Sequence, residues 1–551
     1  MEKGFVKIVL LLSVIATATL VVSCGGSIDS SHSTAVPDSI LQVMQKPAYK
    51  GATWSLQVVD QGTGNLIYDL NSSSQVYIAS VRKVFTTGNA LNAIGAQHRA
   101  VTPVYKTGTV DGAGTLNGNL ILVASGDLTM GGRANPDGTI ALTSFDHNEA
   151  NGLGNAVLSA PDPLAGYNSL AQQVAAAGIT KVNGDIVIDD RLFAAFDFRD
   201  EFMATPIFVN DDRVDVSFTQ STEGQQLPFD YRPRSGAVTV QSTLSTGSAS
   251  SAASIDLDPD EQQNFLTCIG TTPCVGSVSG SVPAGYVPTP VNTFPLVRTF
   301  RITAPSSYAR TVFIEALTRA GVTVTAVPVG VNAAASLPAK GSYSNAQLVA
   351  QLTAAPYAQD IRFVNKVSYN LGADTTLLMW GVAKNNSTTM DAALAAEQTE
   401  LQSTFAISPC QYHFVDGSGG GETTANAKAV ISMMRGMVSK PDFAAYEDSM
   451  PSLGVDGSLT TVTAFESDPT LAGAKGQVQA KTGTYVVENP AVPGTGLLRG
   501  QALAGYITAK SGRRLVFFMT VNNVPVPGGI ADVVPVFNDE GTIAATLWKL
   551  Q

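Results

Sequence analysis

The order of three short motifs constrains this chain more than any other feature. Ser80 and Lys83 form the only Ser-x-x-Lys of the 551 residues, Ser368 and Asn370 form the only Ser-x-Asn, and Lys481 opens a Lys-Thr-Gly near the C-terminus. The three can act together only if segments far apart in the chain meet in one pocket. A segment of domain size must then be inserted between the first and second motifs.

The first motif predicts a nucleophile and its base. Residues three apart on a helix project from one face, so the amine of Lys83 can reach the hydroxyl of Ser80. Lysine can take a proton at neutral pH only if burial or a like charge lowers its pKa by several units. Lys481 supplies such a charge if the third motif lines the opposite wall.

The second motif predicts a proton relay and a holding group. The hydroxyl of Ser368 can pass a proton between Lys83 and a leaving amine. The amide of Asn370 can hold either the substrate backbone or the Lys83 side chain.

The third motif predicts a binding edge. Thr482 beside Lys481 can bind a substrate carboxylate, Gly483 lets the substrate approach the strand closely, and an extended peptide can add alongside as a further strand. The backbone N–H groups of Ser80 and Thr484 are the expected oxyanion hole, where one donor contributes about 3 to 4 kcal/mol to lowering the barrier.

Each motif is weak alone, because a solvated helix face or a turn also supplies such residues. The chain shows this itself: Lys106, Thr107, Gly108 and Thr109 repeat the Lys-Thr-Gly-Thr pattern. This copy precedes Ser368 and falls in the middle region, so we interpret it as an ordinary strand end.

Periodicity places the motifs on elements of secondary structure. It predicts strands at residues 55–60, 65–70, 481–487, 501–509 and 514–522, and a helix over residues 80–94. The strands from both ends of the chain are expected to share one sheet. The domains are therefore predicted as residues 38–98 with 349–551 for the catalytic part, and 99–348 for a strand-rich insert that we expect to hold two domains, with helices near 170–178 and 308–321.

The N-terminus predicts export. Lys3 and Lys7 precede an apolar run over residues 8–22 that ends at Cys24 and Gly25, a pattern typical of a lipoprotein signal at residues 1–24. Cys24 is then the acylated first residue of the mature chain, residues 25–37 are a tether, and the location is periplasmic on the outer membrane. An ordinary signal peptide is the alternative.

Charge and ligand-type residues exclude several classes of protein. The net charge of −11 offers no basic field for nucleic acid. His32, His98, His147 and His413 are dispersed without metal-ligand spacing, so we expect no metal and no cofactor, and we place these histidines on the surface or in loops.

The remaining cysteines suggest one bridge. Cys268 and Cys274 are close enough in sequence for a short disulfide in an oxidising compartment, and whether they are bridged stays open. Cys410 is then expected as a lone thiol packed in a core.

Together the motifs resemble those of the low-molecular-mass class C penicillin-binding proteins, which are serine D-alanyl-D-alanine carboxypeptidases and endopeptidases. Further matching stretches lie at residues 118–123, 125–127, 183–186, 209–211, 214–216, 365–370, 415–419 and 454–459. The resemblance implies an α/β fold of the α+β type: a penicillin-binding transpeptidase-like catalytic domain, with an antiparallel sheet flanked by helices, interrupted by a large strand-rich insert.

The resemblance also implies a function. Ser80 would attack the D-Ala-D-Ala carbonyl of peptidoglycan stem peptides to form an acyl-enzyme, and β-lactam antibiotics would acylate the same serine. Asp127 matches an insert aspartate that, in this family, reaches the free amino end of the diaminopimelyl side chain. The alternative for Asp127 is a turn-capping carboxylate.

Two departures from the family pattern concern substrate choice. Where the family carries an arginine after the stretch at 416–419, this chain has Gly420, Gly421 and Glu422, and residues 486–499 are expected to form a Pro/Gly-rich loop at the pocket mouth. The alternative functions are a catalytically weak cell-wall-binding scaffold and a β-lactamase. The dispersed histidines disfavour a zinc peptidase, and no residue pattern indicates a Ser-His-Asp hydrolase.

Overall fold

The computed structural model describes residues 35–198, 201–259, 265–266 and 273–551. The strands, numbered in chain order, are β1 Thr53–Asp60, β2 Leu66–Leu70, β3 Val76–Tyr77, β4 Val101–Lys106, β5 Thr109–Val110, β6 Thr115–Asn117, β7 Leu120–Val123, β8 Lys181–Asn183, β9 Ile186–Asp189, β10 Phe196–Phe198, β11 Phe202–Ala204, β12 Arg213–Phe218, β13 Phe229–Arg232, β14 Val238–Ser242, β15 Ser245–Gly247, β16 Ser254–Asp258, β17 Phe265–Leu266, β18 Cys274–Pro283, β19 Leu296–Ile302, β20 Thr323–Val324, β21 Leu348–Thr353, β22 Tyr412–His413, β23 Thr424–Ala425, β24 Val478–Glu488, β25 Gly496–Thr508, β26 Arg514–Asn522 and β27 Val524–Val526. The α-helices are α1 Asp38–Met44, α2 Lys83–Ile94, α3 Ala150–Leu153, α4 Ala165–Ala176, α5 Pro305–Arg319, α6 Tyr357–Lys366, α7 Asn370–Asn385, α8 Met390–Phe405, α9 Ala427–Val438, α10 Phe443–Asp448 and α11 Val533–Leu550.

Both ends of the chain build one antiparallel sheet. Its strand order is β2-β1-β26-β25-β24, and β27 pairs with β25. The prediction that the terminal strands share a sheet is therefore confirmed.

Helices cover both faces of this sheet. Along β26, Val516 and Phe518 pack into one hydrophobic core with residues of α9, whereas Phe517 and Met519 pack into a second core with residues of α11. Successive side chains of a strand point to opposite faces, so a strand buried on both faces reads as the nearly continuous apolar run seen here.

A strand-rich region separates the first motif from the second. Between residues 101 and 353 the chain forms four-stranded sheets ordered β21-β4-β7-β9, β20-β8-β6-β5 and β13-β12-β19-β17, a sheet of β14-β18-β15 with β16, and the pair β10-β11. Strand β21 begins at Leu348, the predicted end of the insert, and pairs with β4 of that insert. The described residues form one compact unit, so the division into domains remains a prediction.

A buried cluster of charges anchors the insert segment that carries His147. The two ring nitrogens of His147 lie 2.7 Å from carboxylate oxygens of Asp215 and Asp211. Arg133 donates to Asp146 at 2.9 Å and to Asp211 at 3.0 Å. The expectation of a surface or loop histidine is therefore wrong for His147, because carboxylates satisfy it inside the protein.

This cluster also bears on metal binding. Asp146, His147 and Asp211 offer ligand atoms close enough to hold an ion. The guanidinium of Arg133 already contacts all three side chains, and it supplies the positive charge that a metal would otherwise bring.

The structure describes two of the four cysteines, Cys274 and Cys410. Cys24 and Cys268 lie outside the described residues, and so do the predicted signal peptide and most of the tether. Cys274 and Cys410 are both disulfide-bonded, and Cys410 is exposed. The expectation of a free thiol packed in a core is therefore wrong for Cys410. None of the helices in the described part of the chain is long and apolar enough to span a membrane.

Candidate active site

The first motif forms a tight turn in front of α2. Ala79 has a φ of 45°, which is uncommon for a residue with a side chain. A single turn of 3-10 helix, Ala79–Arg82, then leads into α2 at Lys83. The predicted helix over residues 80–94 is thus confirmed, with its first turn wound more tightly.

The amine of Lys83 is buried and lies in contact with three oxygen atoms. Its Nζ is 2.8 Å from Oγ of Ser80, 2.7 Å from Oδ1 of Asn370 and 2.8 Å from the carbonyl oxygen of Ser418. Two of these oxygens are carbonyls and can only accept hydrogen bonds. When the amine is neutral, its lone pair can therefore accept a hydrogen bond only from the Ser80 hydroxyl among these three groups. This geometry suits a base acting on a serine nucleophile.

The second and third motifs meet through their polar side chains. Ser368 lies between α6 and α7 with a φ of 60°, a conformation that tertiary packing must enforce. Nζ of Lys481 lies 2.9 Å from Oγ of Ser368 and 2.8 Å from the carbonyl oxygen of Thr482. Burial, together with the positive charge of Lys83, lowers the pKa of Lys481 well below its usual value. The coupling described here acts on the pKa of Lys481, and the predicted effect of Lys481 on the pKa of Lys83 stays a prediction.

Strand β24 packs directly against the nucleophile turn. A Cβ at Gly483 would lie 2.3 Å from the carbonyl oxygen of Ile78 and 3.1 Å from the backbone nitrogen of Ser80. Glycine is therefore required here for the strand to approach this turn, and the expectation that Gly483 also makes room for substrate stays a prediction. The same contact brings the Ser80 N–H close to the strand that carries Thr484.

Hydroxyl groups of the third motif are held by neighbouring side chains. Oγ1 of Thr482 lies 2.7 Å from Oγ of Ser458, and the Thr484 hydroxyl donates to Gln501 at 2.9 Å. Ser458 belongs to one of the matching stretches, but no local pattern predicts a role for it.

An open cleft connects these groups to solvent. Its lining includes Ser80, Ser368, Asn370, Thr482 and Thr484, so the structure brings all three motifs to one place. The insert adds Asp146, Glu149 and Leu153, and the C-terminal helix α11 adds Val534 and Phe537. No sequence pattern linked this helix or Glu149 to the site.

A buried ion pair fixes the nucleophile turn from behind. Arg82 is fully buried, forms an ion pair with Glu397 of α8, and donates from Nε to the Asp416 carbonyl at 2.9 Å. Asn89 donates to the same Glu397 at 3.0 Å. Sequence reasoning missed this support, because no local pattern pairs an arginine with a glutamate more than 300 positions away.

The loop after α8 closes on the same turn. A Cβ at Gly419 would lie 2.1 Å from the Ala79 carbonyl oxygen, so glycine is required for this close approach. The loop also supplies the Ser418 carbonyl that contacts Lys83. The matching stretch at 415–419 was the signal that could have identified this contact.

Asp127 caps a turn, which is the alternative interpretation given for it above. It is 2% exposed, and its Oδ1 accepts from the backbone N–H groups of Thr129 at 3.0 Å and Met130 at 3.1 Å. Among the described residues it does not line the Ser80 cleft. A contact between Asp127 and substrate therefore stays a prediction that this burial does not favour.

Glu422, the segment 486–499 and the second Lys-Thr-Gly-Thr pattern were the other features that the sequence singled out. Glu422 is exposed, with its carboxylate 3.5 Å from the Tyr77 hydroxyl. Half of the expected loop at 486–499 is strand, since β24 runs to Glu488 and β25 begins at Gly496, and Val486 lines the cleft. Lys106 ends β4 in the insert, as expected for an ordinary strand end.

The chain is similar in sequence to known D-alanyl-D-alanine carboxypeptidases. The model of the D-Ala-D-Ala carboxypeptidase 3 (S13) family matches residues 37–532. The D-alanyl-D-alanine carboxypeptidase of Actinomadura sp. (strain R39) is 26% identical over 536 residues, covering 91% of this chain and 84% of that protein.

Solved structures show the same fold. Penicillin-binding protein 4 from Haemophilus influenzae superposes with a TM-score of 0.65 at 18% identity, covering 93% of this chain and 99% of that one. Its complex with a novel β-lactam gives a TM-score of 0.61 at 19% identity, covering 91% and 98%. The predicted fold, a transpeptidase-like domain interrupted by a large insert, is therefore confirmed. With its three motifs in one cleft and a family match over most of its length, the chain belongs to the D-Ala-D-Ala carboxypeptidase 3 (S13) family of serine peptidases.

Proposed function

We propose that Ser80 is the nucleophile of a D-alanyl-D-alanine peptidase that works through an acyl-enzyme. The observation that carries this proposal is the 2.8 Å contact between Oγ of Ser80 and Nζ of Lys83. Two further oxygens that contact that nitrogen, from Asn370 and Ser418, are carbonyl acceptors. Among these contacts the neutral amine can therefore take only the Ser80 proton, as the hydroxyl oxygen attacks a carbonyl carbon.

The second proton transfer uses the other lysine. The leaving amine needs a proton when the tetrahedral intermediate collapses, and Ser368 stands between the cleft and Lys481 at 2.9 Å. The depressed pKa of Lys481 makes its ammonium a stronger acid than an ordinary lysine. Lys481 and Ser368 are therefore proposed as the relay, with Asn370 holding Lys83 in place.

The oxyanion is proposed to bind between the backbone N–H groups of Ser80 and Thr484. The close approach of β24 to the Ser80 backbone at Gly483 supports this assignment. Thr482 and Thr484 line the cleft and are proposed to hold the terminal carboxylate of the substrate near Lys481.

The charged lining of the cleft favours a substrate with charged groups of its own. Beside Asn370 lies a small recess whose polar lining includes Glu149, Asp211, Asp212, Arg213, Arg301 and Tyr369. Arg213 is 8% exposed and makes no ion pair within the described part of the chain, while the Tyr369 hydroxyl is buried there without a hydrogen-bond partner. Burial and the neighbouring Arg213 lower the pKa of Arg301 to about 10, which still leaves it charged at neutral pH.

This lining suits the free end of a diamino acid in a peptidoglycan stem peptide. Its carboxylate can accept from the two arginines and the tyrosine, and its ammonium can approach the exposed Glu149. We therefore propose Glu149, rather than Asp127, as the acidic insert residue that meets the substrate.

The reaction leaves the choice of leaving group open between a single D-Ala and a cross-linked amine. Carboxypeptidase and endopeptidase activities use the same acyl-enzyme, and mass analysis of products from pentapeptides and from cross-linked muropeptides separates them.

We further propose that the enzyme acts in the periplasm as a lipoprotein held by acylated Cys24. The sequence pattern around that cysteine supports this, since two or three acyl chains anchor firmly at about 0.8 kcal/mol for each buried methylene. Metabolic labelling with a clickable fatty acid should mark the wild type but not Cys24→Ala. Equal labelling of both proteins would remove this part of the proposal.

The experiment that tests the catalytic proposal is intact-mass and peptide-map analysis after brief exposure to benzylpenicillin. One added drug mass on the Ser80 peptide, absent in Ser80→Ala, is expected. An adduct on another residue contradicts the assignment of the nucleophile. No adduct with intact drug would favour a wall-binding scaffold, and no adduct with rapid drug hydrolysis would favour a β-lactamase.

A further inference from the structure

Two buried carboxyl groups lie behind the base of the proposed mechanism. Asp374 is on α7, one turn beyond Asn370, and is fully buried. Its Oδ1 accepts from the backbone N–H of Gly417 at 2.8 Å. The second carboxyl group is Asp416, in the loop that also touches Lys83.

The two carboxyl groups differ in what surrounds them. Asp416 accepts backbone N–H groups from Ser418 at 3.0 Å, Gly419 at 2.7 Å and Gly420 at 3.0 Å. Three such donors suit a carboxylate anion. Asp374 accepts only one backbone N–H, and its Oδ2 has no hydrogen-bond partner among the described residues.

The hydroxyl of Ser418 interacts with the Asp374 carboxyl group, and no other group in the described part of the chain forms a hydrogen bond with that hydroxyl. Burial and the negative charge of Asp416 raise the pKa of Asp374 well above its usual value. An un-ionised carboxyl group carries a proton that it can donate to Ser418, whereas an anion here would be a buried charge with one hydrogen bond.

The state of Asp374 matters because Lys83 is close to both carboxyl groups. The charged groups that act on this region are Lys83 on α2, Asp416 in the loop, and Arg82, whose Nε donates to the Asp416 carbonyl. Lys481 on β24 and Glu149 of the insert also interact electrostatically with Lys83. Each further negative charge beside Lys83 favours its ammonium form, which cannot accept the Ser80 proton.

We propose that Asp374, in its un-ionised form, is a positioning residue for Lys83. It holds Gly417 and Ser418 so that the Ser418 carbonyl stays 2.8 Å from the lysine nitrogen, and it adds no second negative charge beside that nitrogen. This inference rests on Lys83 being the base of the proposed function.

The test is the rate constant of benzylpenicillin acylation as a function of pH, measured on the full-length soluble chain for the wild type, Asp374→Asn and Asp374→Ala. Asparagine can accept from Gly417 and donate to Ser418, and it is always neutral. We expect Asp374→Asn to keep the rate within about threefold and the acid limb of the profile at the same pH. Asp374→Ala loses the anchor, and misplacement of a reacting group by about 1 Å can lower the rate about 100-fold.

Two outcomes of these rate measurements would contradict the proposal. If Asp374 is ionised in the wild type, Asp374→Asn removes a negative charge near Lys83 and moves the acid limb to lower pH by one unit or more, which overturns the proposal. An Asp374→Ala rate equal to that of Asp374→Asn rejects the positioning role.

A second measurement covers the case in which Asp374→Ala does not fold. The infrared difference spectrum between the wild type and Asp374→Asn at neutral pH should contain the carbonyl band of an un-ionised carboxylic acid, and a carboxylate band in its place overturns the proposal. If benzylpenicillin fails to acylate even the wild type, the proposed function fails instead, and the infrared band still decides the state of Asp374.

Discussion

Nζ of Lys481 lies 2.9 Å from Oγ of Ser368, so the third motif reaches the second directly. The lysine is fully buried and carries a depressed pKa, because desolvation and the charge of Lys83 both disfavour its ammonium form. The two motifs therefore form a single hydrogen-bonded pair in the wall of the cleft.

Replacing this lysine should impair acylation while leaving the fold intact. Lys481→Ala removes both the proposed proton relay and a positive charge near the substrate carboxylate, and we expect acylation by benzylpenicillin to slow about 100-fold or more, as for loss of a general acid–base group. The chain offers a matched control, because Lys106 opens the same four-residue pattern outside the cleft. Lys106→Ala should acylate at the wild-type rate, and equal losses in the two variants would reject the role of Lys481.

The cluster around His147 should make stability depend on pH. Although burial opposes it, the charges of Asp215 and Asp146 raise the pKa of His147 from 6.5 to about 9. A raised pKa in the folded state stabilises the fold fully below pH 6.5, and this contribution is lost as pH rises through 9. The shift corresponds to roughly 3 kcal/mol.

Urea unfolding of the wild type and of His147→Gln across this pH range checks the expectation. The difference in free energy of unfolding between the two proteins should shrink as pH rises from 6.5 to 9. A difference that stays constant over the range would show that His147 is not charged in the folded protein.

Removing one partner of the ion pair behind the nucleophile should destabilise the fold more than removing both partners. Arg82→Met leaves the carboxylate of Glu397 buried without its partner, and we expect a loss of about 3 to 5 kcal/mol in the free energy of unfolding. The double variant Arg82→Met/Glu397→Leu removes both charges and should recover most of that loss. Equal destabilisation of the single and double variants in denaturant titration would mean that packing, rather than the charge of Glu397, sets the cost.

Substrate choice should depend on the acidic residue in the cleft. Glu149→Gln removes the charge proposed to meet the substrate ammonium, and we expect kcat/KM for stem peptides with a free amino group to fall about tenfold. Acetylated peptides and benzylpenicillin should be little affected. Asp127→Asn provides the comparison, and a selective loss in that variant instead would restore Asp127 as the contact.

The sequence was most informative where function needs particular residue types in local patterns. The spacing of Ser80 and Lys83 places both on one turn, and the apolar run of β26 needs burial on both faces, so neither depends on distant detail. The order of the motifs likewise required an insert, whereas the exact ends of that insert depend on which distant strands pair, as β21 does with β4.

The sequence was least informative where function depends on contacts between distant segments. The pairing of Arg82 with Glu397, the burial of His147 and the place of Asp127 in a turn all follow from packing between segments that no local pattern links. Asp127 and Glu149 are both acidic residues of the insert, and only the fold shows which of them is exposed to the cleft.

The sequence by itself therefore determined the three motifs and the chemistry that they can perform, because hydrophobic period and residue type act over a few neighbouring positions. The fold class followed from the family resemblance that these motifs carry. Only the tertiary structure decided which charges surround the two lysines, which acid faces the cleft and which glycines must lack a side chain. Charge interactions and steric contacts depend on distances in space, and residues such as Lys83, Asp374 and Ser418 acquire those distances only when the chain is folded.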